Sequence, residues 1–213
     1  MDQLFSGIVN PATLIVFAAL AVLSLMSVTV CVFKIVQFAR LGVGKRDRAE
    51  EILDTWLSGR GDEAMKLASE RRSVLARILQ AVFSGVQAKP GEAAYAEELG
   101  RQTAIIELAS MTQRMRLLEV VVQAAPMLGL LGTVIGMIDA FSVLSLSEGA
   151  VDPAALAGGI WTALTTTAVG LAIALVAYFF ASWFESRIDR ERNLIEAAIS
   201  AAIHGRVDPT AHT

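Results

Sequence analysis

The sequence predicts an all-α integral membrane protein with three transmembrane helices, in which long cytoplasmic helical extensions continue the second and third spans. Three observations support this fold class. Apolar residues make up 54% of the 213-residue chain, against about 45–50% in soluble domains. They are concentrated in three blocks of spanning length. All 18 Lys and Arg residues lie outside those blocks, in two segments of the chain.

The first block contains no charged residue from Ala12 to Phe33, and Pro11 stands just before it. A span needs about 20 mainly apolar residues, so we assign residues 11–34 to transmembrane helix 1. A secretory signal begins with Lys or Arg, whereas residues 1–10 contain neither. We therefore interpret the block as an uncleaved anchor that follows a periplasmic N-terminus at residues 1–10.

The second and third blocks lie close together in the sequence. Val120–Ile138 is uncharged, and after Asp139 the apolar run continues to Leu146. Ala154–Phe184 is also uncharged. Neither block shows the alternation of a barrel strand, so we assign residues 119–146 and 154–184 to transmembrane helices 2 and 3. The short periplasmic loop at 147–153 makes the pair an antiparallel hairpin.

The distribution of positive charge predicts the orientation. Every Lys and Arg lies between Lys34 and Arg116 or between Arg187 and Arg206. Because positively charged loops stay in the cytoplasm, residues 35–118 are predicted to form a cytoplasmic helical domain. Residues 185–213 are predicted to be a cytoplasmic helix extension and tail, with the C-terminus inside.

The cytoplasmic domain is predicted to be helical throughout. Three short helices are expected, separated by the breakers Gly59, Gly61 and Pro90-Gly91: Arg48–Leu57, Asp62–Ser69 and Val74–Gln87. From Glu92 no proline occurs until Pro126, and apolar residues recur at helical spacing. We therefore expect one long helix that runs from Glu92 into the second span. Beyond the third span, Ile188, Ile195 and Ile199 continue an apolar stripe.

Small residues mark the second and third spans. They include Gly129, Gly132 and Gly136 in the second, and Gly159 and Gly170 in the third. Small residues let helices approach closely in lipid, so we interpret these five glycines as helix-packing positions. Their number favours contacts between copies of the chain in addition to packing within one copy.

Hydroxyl side chains give these spans a polar face. Thr133 lies in the second span, and Thr162, Thr165, Thr166 and Thr167 lie in the third. A polar stripe on an apolar helix should face a partner or water. The residues alone leave two interpretations open, interhelical hydrogen bonds worth roughly 0.6 kcal/mol each or the lining of an ion path.

Asp139 is the one ionisable residue inside the apolar stretches. It lies about 20 residues beyond Glu119, which at about 1.5 Å per residue is near the outer interface. It is therefore either a functional acid or a solvated rim acid. No His, Cys or carboxylate cluster has metal-ligand spacing, and no catalytic set or phosphate loop is present. We expect no metal, no cofactor and no enzymatic activity.

Two segments of these spans resemble a known family. APMLGLLGTVIGMIDAF at Ala125–Phe141, followed by LAGGIWTALTTTAVGLAIA at Leu156–Ala174, is similar to the paired signature of the MotA/TolQ/ExbB proton-channel family. The three-span topology and the loop lengths resemble the ExbB/TolQ branch over nearly the whole chain, because the MotA branch has four spans.

The resemblance implies a bacterial inner-membrane location and a set of partners. Members form homo-oligomers, as pentamers around a dimer of a single-span protein of the ExbD/TolR type, whose membrane aspartate is the main proton-binding site. Ion flow then drives work that is passed to a TonB-like or TolA-like protein, as in import or envelope maintenance. The family's channel threonines fall on Thr133 and Thr167, and Thr162 and Thr166 extend the expected ion-path lining.

One position departs from the family pattern. ExbB and TolQ proteins commonly have a glutamate in a GIxEAL pattern, and alignment on Gly159–Leu171 puts Thr162 in its place. A hydroxyl-lined path could pass protons or coordinate Na⁺ with oxygen ligands, and family membership favours protons. The leading hypothesis is therefore an ion-driven energy transducer. The alternative is a non-conducting structural membrane scaffold.

Overall fold

The computed structural model describes residues 11–44, 46–70, 73–146 and 153–205. All regular structure in these ranges is helical, in the order α1 (Pro11–Leu41), α2 (Arg46–Leu57), α3 (Gly61–Ser69), α4 (Val74–Ala88), α5 (Ala93–Thr112), α6 (Met115–Leu146) and α7 (Pro153–His204). Three stretches, one in α1, one in α5–α6 and one in α7, are long and apolar enough to cross a membrane. The predicted fold class is confirmed. The expected terminus at 1–10, loop residues 147–152 and tail from 206 lie outside the described residues.

The three short helices that the sequence predicted are confirmed to within two residues at each end. Ser73 is the N-cap of α4, where its hydroxyl accepts a hydrogen bond from the Ala76 amide at 3.3 Å. Gly59 and Gly91 have φ angles of 82° and 93°, a conformation that glycine adopts at little cost. Local sequence signals therefore determine this part of the chain.

The helical extension predicted from Glu92 into the second span is present, but it is not one unbroken helix. The chain leaves the helical path after Thr112, and α6 begins at Met115. Between them Arg114 has a φ angle of 69°, which costs a non-glycine residue roughly 1–2 kcal/mol. No glycine or proline lies between Thr112 and Met115, so no local signal marks the break.

The third long helix does run on as predicted. α7 has 52 residues, which at 1.5 Å per residue is about 78 Å, more than twice the roughly 30 Å of a bilayer core. Ile188 and Ile195, both at most 4% exposed, continue its buried stripe beyond the apolar block.

The chain divides into two compact units. The span unit comprises Met1–Val32 and Arg114–Ser182, and the bundle unit comprises Phe33–Gln113 and Trp183–Thr213. In the span unit, α1 contributes Val16 and Leu20 to a core with small residues of α6 and α7, among them Ala125, Ala174 and Ala177.

The core of the bundle unit consists of large side chains. Ile52, Ile78, Leu79 and Phe83 are fully buried. The Trp56 ring stacks on the Phe83 ring with 4.0 Å between centroids. The Trp56 indole N–H donates to the Ala202 carbonyl at 3.0 Å. This hydrogen bond joins α2 to the last turn of α7.

Candidate functional site

The paired helices α6 and α7 run antiparallel with very short separations between their backbones. A Cβ built on Gly129 would lie 3.0 Å from the Thr166 carbonyl oxygen, and one on Gly136 would lie 2.8 Å from the Ala163 Cβ. As the residue number increases along α6, the residue number of the contact on α7 decreases, as an antiparallel hairpin requires. The hairpin prediction is therefore confirmed for the described residues.

The other glycines of the pair are equally confined. A Cβ on Gly132 would collide with the Thr166 side chain, one on Gly159 would lie 3.0 Å from the Ala140 Cβ, and one on Gly170 would lie 2.5 Å from the Ala125 carbonyl oxygen. Any side chain here would push the helices apart. This geometry supports the helix-packing role predicted for the five glycines.

Two threonine hydroxyls of α7 converge on one backbone carbonyl of α6. The Thr167 hydroxyl donates to the Gly129 carbonyl at 2.8 Å. The Thr166 hydroxyl lies 3.2 Å from the same oxygen and 2.6 Å from the Ala163 carbonyl of its own helix. Thr166 is fully buried, whereas Thr167 is partly exposed. The absence of a side chain at Gly129 is what allows both hydroxyls to reach its carbonyl.

The remaining hydroxyls bond to their own helices. Thr162 donates to the Gly158 carbonyl at 3.0 Å and Thr165 to the Trp161 carbonyl at 2.8 Å. Thr133 donates to the Leu130 carbonyl at 2.6 Å. A hydroxyl bonded in this way keeps an oxygen lone pair available to a ligand. Each of the three could therefore still accept a hydrogen bond or coordinate a cation.

Thr133 lies on an open groove of α6. Val134, Met137, Ile138 and Phe141 form its apolar walls, and Ser142 and Ser145 continue the hydroxyls toward the end of the helix. Asp139 is partly buried on the same helix. The groove therefore combines an apolar surface with a line of hydroxyls.

Within this chain the structure brings together Thr166, Thr167, Gly129 and Gly132, and it leaves Thr133 on the groove. Interhelical hydrogen bonding, one of the two interpretations of the threonines, is thus observed for Thr166 and Thr167. Lining of an ion path by Thr133, Thr162, Thr166 and Thr167 stays a prediction, as does the role of Asp139.

Sequence reasoning missed two buried charged residues. Lys34 and Glu191 are at most 1% exposed. The helical spacing of the neighbouring apolar residues could have indicated the burial of both side chains. Lys34 continues the buried stripe of Val30, Cys31 and Phe38 on α1, and Glu191 lies between Ile188 and Ile195 on the apolar face of α7.

Glu191 accepts a hydrogen bond from the Gly44 amide at 3.0 Å. Gly44 has a φ angle of 84°, and a Cβ there would lie 3.0 Å from a guanidinium nitrogen of Arg187. Burial raises the pKa of the Glu191 carboxyl above its ordinary value of 4.5, against the opposing effects of the Gly44 amide and the Arg187 charge. The contact attaches the turn after α1 to α7.

Comparison with known proteins gives a family match that includes the α6–α7 hairpin. Residues 70–197, more than half of the chain, match the model of the MotA/TolQ/ExbB proton channel family. A putative biopolymer transport protein ExbB homolog of Methanothermobacter thermautotrophicus is 37% identical over 156 residues, which are 68% of this chain and 47% of that protein. The chain thus spans about half the length of this relative.

Two further relatives have the same kind of name. A putative biopolymer transport protein ExbB-like 3 of Synechocystis sp. is 28% identical over 174 residues, 81% of each chain. The biopolymer transport protein exbB1 of Vibrio cholerae is 37% identical over 86 residues, 40% of this chain and 38% of that protein.

Proposed function

Because the chain belongs to the MotA/TolQ/ExbB proton channel family, we propose that it is an ExbB/TolQ-like subunit of an ion-driven inner-membrane motor. In this proposal the subunit couples the proton gradient to work at the outer membrane. It acts through a TonB- or TolA-type protein, in import or envelope maintenance. The chain is a multi-pass membrane protein of a channel family, and its proposed role is conduction and force transmission.

The observation that carries the proposal is the placement of oxygen atoms in the α6–α7 pair. Thr167 and Thr166 surround the Gly129 carbonyl, and Thr133, one turn along α6 from Gly129, lies on the open groove. Hydroxyl and carbonyl oxygens can pass a proton through hydrogen-bonded water or coordinate Na⁺. Polar groups at membrane depth are costly unless they face a partner or a water-filled path.

Partners complete the proposed path. We propose a homo-pentamer that surrounds a single-span protein of the ExbD/TolR type, with the apolar and hydroxyl groove of α6 facing that helix. The partner's carboxylate binds the proton, and the threonines orient water beside it. This division of work suits Thr162, which supplies a hydroxyl where kindred sequences have a carboxylate. One charge that crosses 100 mV releases about 2.3 kcal/mol, enough to bias a mechanical cycle.

The proposed topology follows the charge distribution. Residues 1–10 and 147–153 face the periplasm, residues 11–34, 119–146 and 154–184 span the membrane, and residues 35–118 and 185–213 are cytoplasmic. Asp139 is then a rim acid near the periplasmic surface. A cysteine introduced at position 150 should react with an impermeant thiol reagent in intact cells, while one at position 102 should not.

The test of conduction uses hydroxyl-removing variants with matched controls. Thr133→Val and Thr167→Val in the reconstituted complex with the single-span partner are expected to lose most ion flux and all energy transduction, with the oligomer still assembled. Thr133→Ser and Thr167→Ser keep the hydroxyl and should keep activity. Flux in proteoliposomes under separate proton and sodium gradients identifies the ion. Full flux in both valine variants would contradict the assignment.

A second candidate function is a non-conducting membrane scaffold. It is favoured by the interhelical bonds from Thr166 and Thr167 to Gly129, since packing alone accounts for them. In that case neither gradient drives flux through the reconstituted complex, and Thr167→Val weakens the α6–α7 pair instead. Flux measured together with thermal stability therefore separates the two functions.

A further inference from the structure

The break between α5 and α6 has no cause in the local sequence. Thr112, Gln113, Arg114 and Met115 can all occupy a helix, yet Arg114 adopts the left-handed conformation with a φ angle of 69°. A strained non-glycine residue persists only where the surrounding structure determines it. The compensating interactions must therefore come from another part of the chain.

The carbonyl groups at the end of α5 show which interactions these are. In a continuous helix each carbonyl accepts from the amide four residues later, so the carbonyls of Ser110 and Met111 would accept from the amides of Arg114 and Met115. The break leaves the Gln113 amide bonded to the Ala109 carbonyl at 3.1 Å. The next two carbonyls need other donors.

Two side chains of α1 supply these donors. The Gln37 amide nitrogen donates to the Ser110 carbonyl at 3.1 Å, and the Lys34 ammonium donates to the Met111 carbonyl. Lys34 and Gln37 are three residues apart and so share one face of α1. Each side chain replaces one main-chain amide that the break removes from the helix.

Burial of these two polar side chains costs free energy. Lys34 is fully buried, with its ammonium nitrogen 5.7 Å from the centroid of the Phe38 ring. Among the described residues the buried Gln37 Oε1 has no hydrogen-bond partner, because its amide nitrogen is directed at Ser110. Burial of a charged group is costly unless it is hydrogen-bonded, and the bond to the Met111 carbonyl meets that need for Lys34.

We propose that Lys34 and Gln37 are positioning residues that hold the Gln113–Arg114 junction broken. Their side chains satisfy the carbonyls of Ser110 and Met111, and without these donors the amides of Arg114 and Met115 would be the nearest replacements. The junction lies where the chain enters the second span, and the proposal does not depend on ion conduction.

The test measures whether the continuous helix appears when a donor is removed. Spin labels at positions 102 and 119, in a Cys31→Ala background of the full chain in nanodiscs, report the distance across the junction. Labelled subunits are diluted with unlabelled ones. Seventeen residues of continuous helix span about 25 Å. Lys34→Met is expected to raise the population at that separation about tenfold, the effect of losing one charge-assisted hydrogen bond.

A second variant and a matched control keep the test decisive. Gln37→Met removes a neutral donor together with its unsatisfied oxygen, so it should fold even where Lys34→Met does not, and it should give a smaller shift in the same direction. Lys66→Met, at an exposed position of α3, should leave the distances unchanged. A wild-type distance distribution in both α1 variants would overturn the proposal. So would a distribution that only broadens, without the 25 Å population.

Discussion

The span unit and the bundle unit reach stability with opposite residue types. In the span unit many buried positions of α6 and α7 are small, such as Gly132, Ala125 and Ala163, while large residues such as Met127 and Leu175 are at least 70% exposed. In the bundle unit the large residues Phe83, Ile78 and Leu79 are fully buried.

The difference follows from the surroundings that each unit is built for. In water, burial of apolar surface contributes roughly 25 cal/mol per Å², so large side chains turn inward. In lipid that contribution is absent between helices, and close backbone approach with interhelical hydrogen bonds takes its place. The same chain therefore applies two packing rules, and the substitutions below test where each of them holds.

The largest effect is expected from removal of a buried ring in the bundle unit. Phe83→Ala deletes a fully buried side chain that stacks on Trp56, at a cost of about 3–5 kcal/mol in unfolding free energy. Phe179→Ala is the matched control, because that ring is 66% exposed in the span unit. Denaturation in detergent should separate the two variants clearly, and equal losses would remove the contrast between the units.

The span unit should lose stability when a side chain is added at a close helix contact, whereas the bundle unit loses stability when a buried side chain is removed. Gly132→Val places a Cβ against the Thr166 side chain, and we expect it to cost about 3 kcal/mol by overpacking. Gly158→Val is the control, since nothing lies within 4 Å of a Cβ built there. The melting temperature in nanodiscs checks both. A tolerated valine at position 132 would show that the helices are less closely packed.

At the junction between α5 and α6, a glycine variant should be more stable than an alanine variant, the reverse of their order inside a helix. At Arg114 the φ angle of 69° favours glycine, so Arg114→Gly should be more stable than Arg114→Ala by about 1 kcal/mol. At Glu119, an exposed position one turn inside α6, glycine should be less stable than alanine by about 1 kcal/mol. The same order at both positions would mean that Arg114 is helical.

The smallest effect concerns the pH dependence of the bundle unit. The folded pKa of Glu191 lies above its ordinary value of 4.5, so its favourable contribution is complete below about 4.5 and is lost as pH rises through the folded pKa. Glu191→Gln keeps an oxygen for the Gly44 amide and does not ionise. It should exceed the wild type in melting temperature at neutral pH but not in acid. Glu196→Gln, at an exposed position, controls for charge.

Much of the fold could be predicted because its signals are local. The uncharged run from Ala154 to Phe184 predicts a span wherever it is placed. Gly59 and Gly91 end helices through their own backbone freedom. The candidate site was predicted less completely, since Thr166 and Thr167 share one motif with Thr162 and Thr165 but bond to a different helix. Which hydroxyl meets Gly129 depends on how two helices are rotated against each other.

The sequence by itself determined the three spans, the short helices of the bundle unit and the family, because apolar length, breakers and motif residues act through neighbours in the chain. Only the tertiary structure decided the break at Arg114 and the burial of Lys34 and Glu191. The donors that replace the lost helical amides come from residues 73 and 77 positions away. A hydrogen bond over that separation leaves no trace in local helix propensity, yet it is strong enough to end a helix that the propensity would continue.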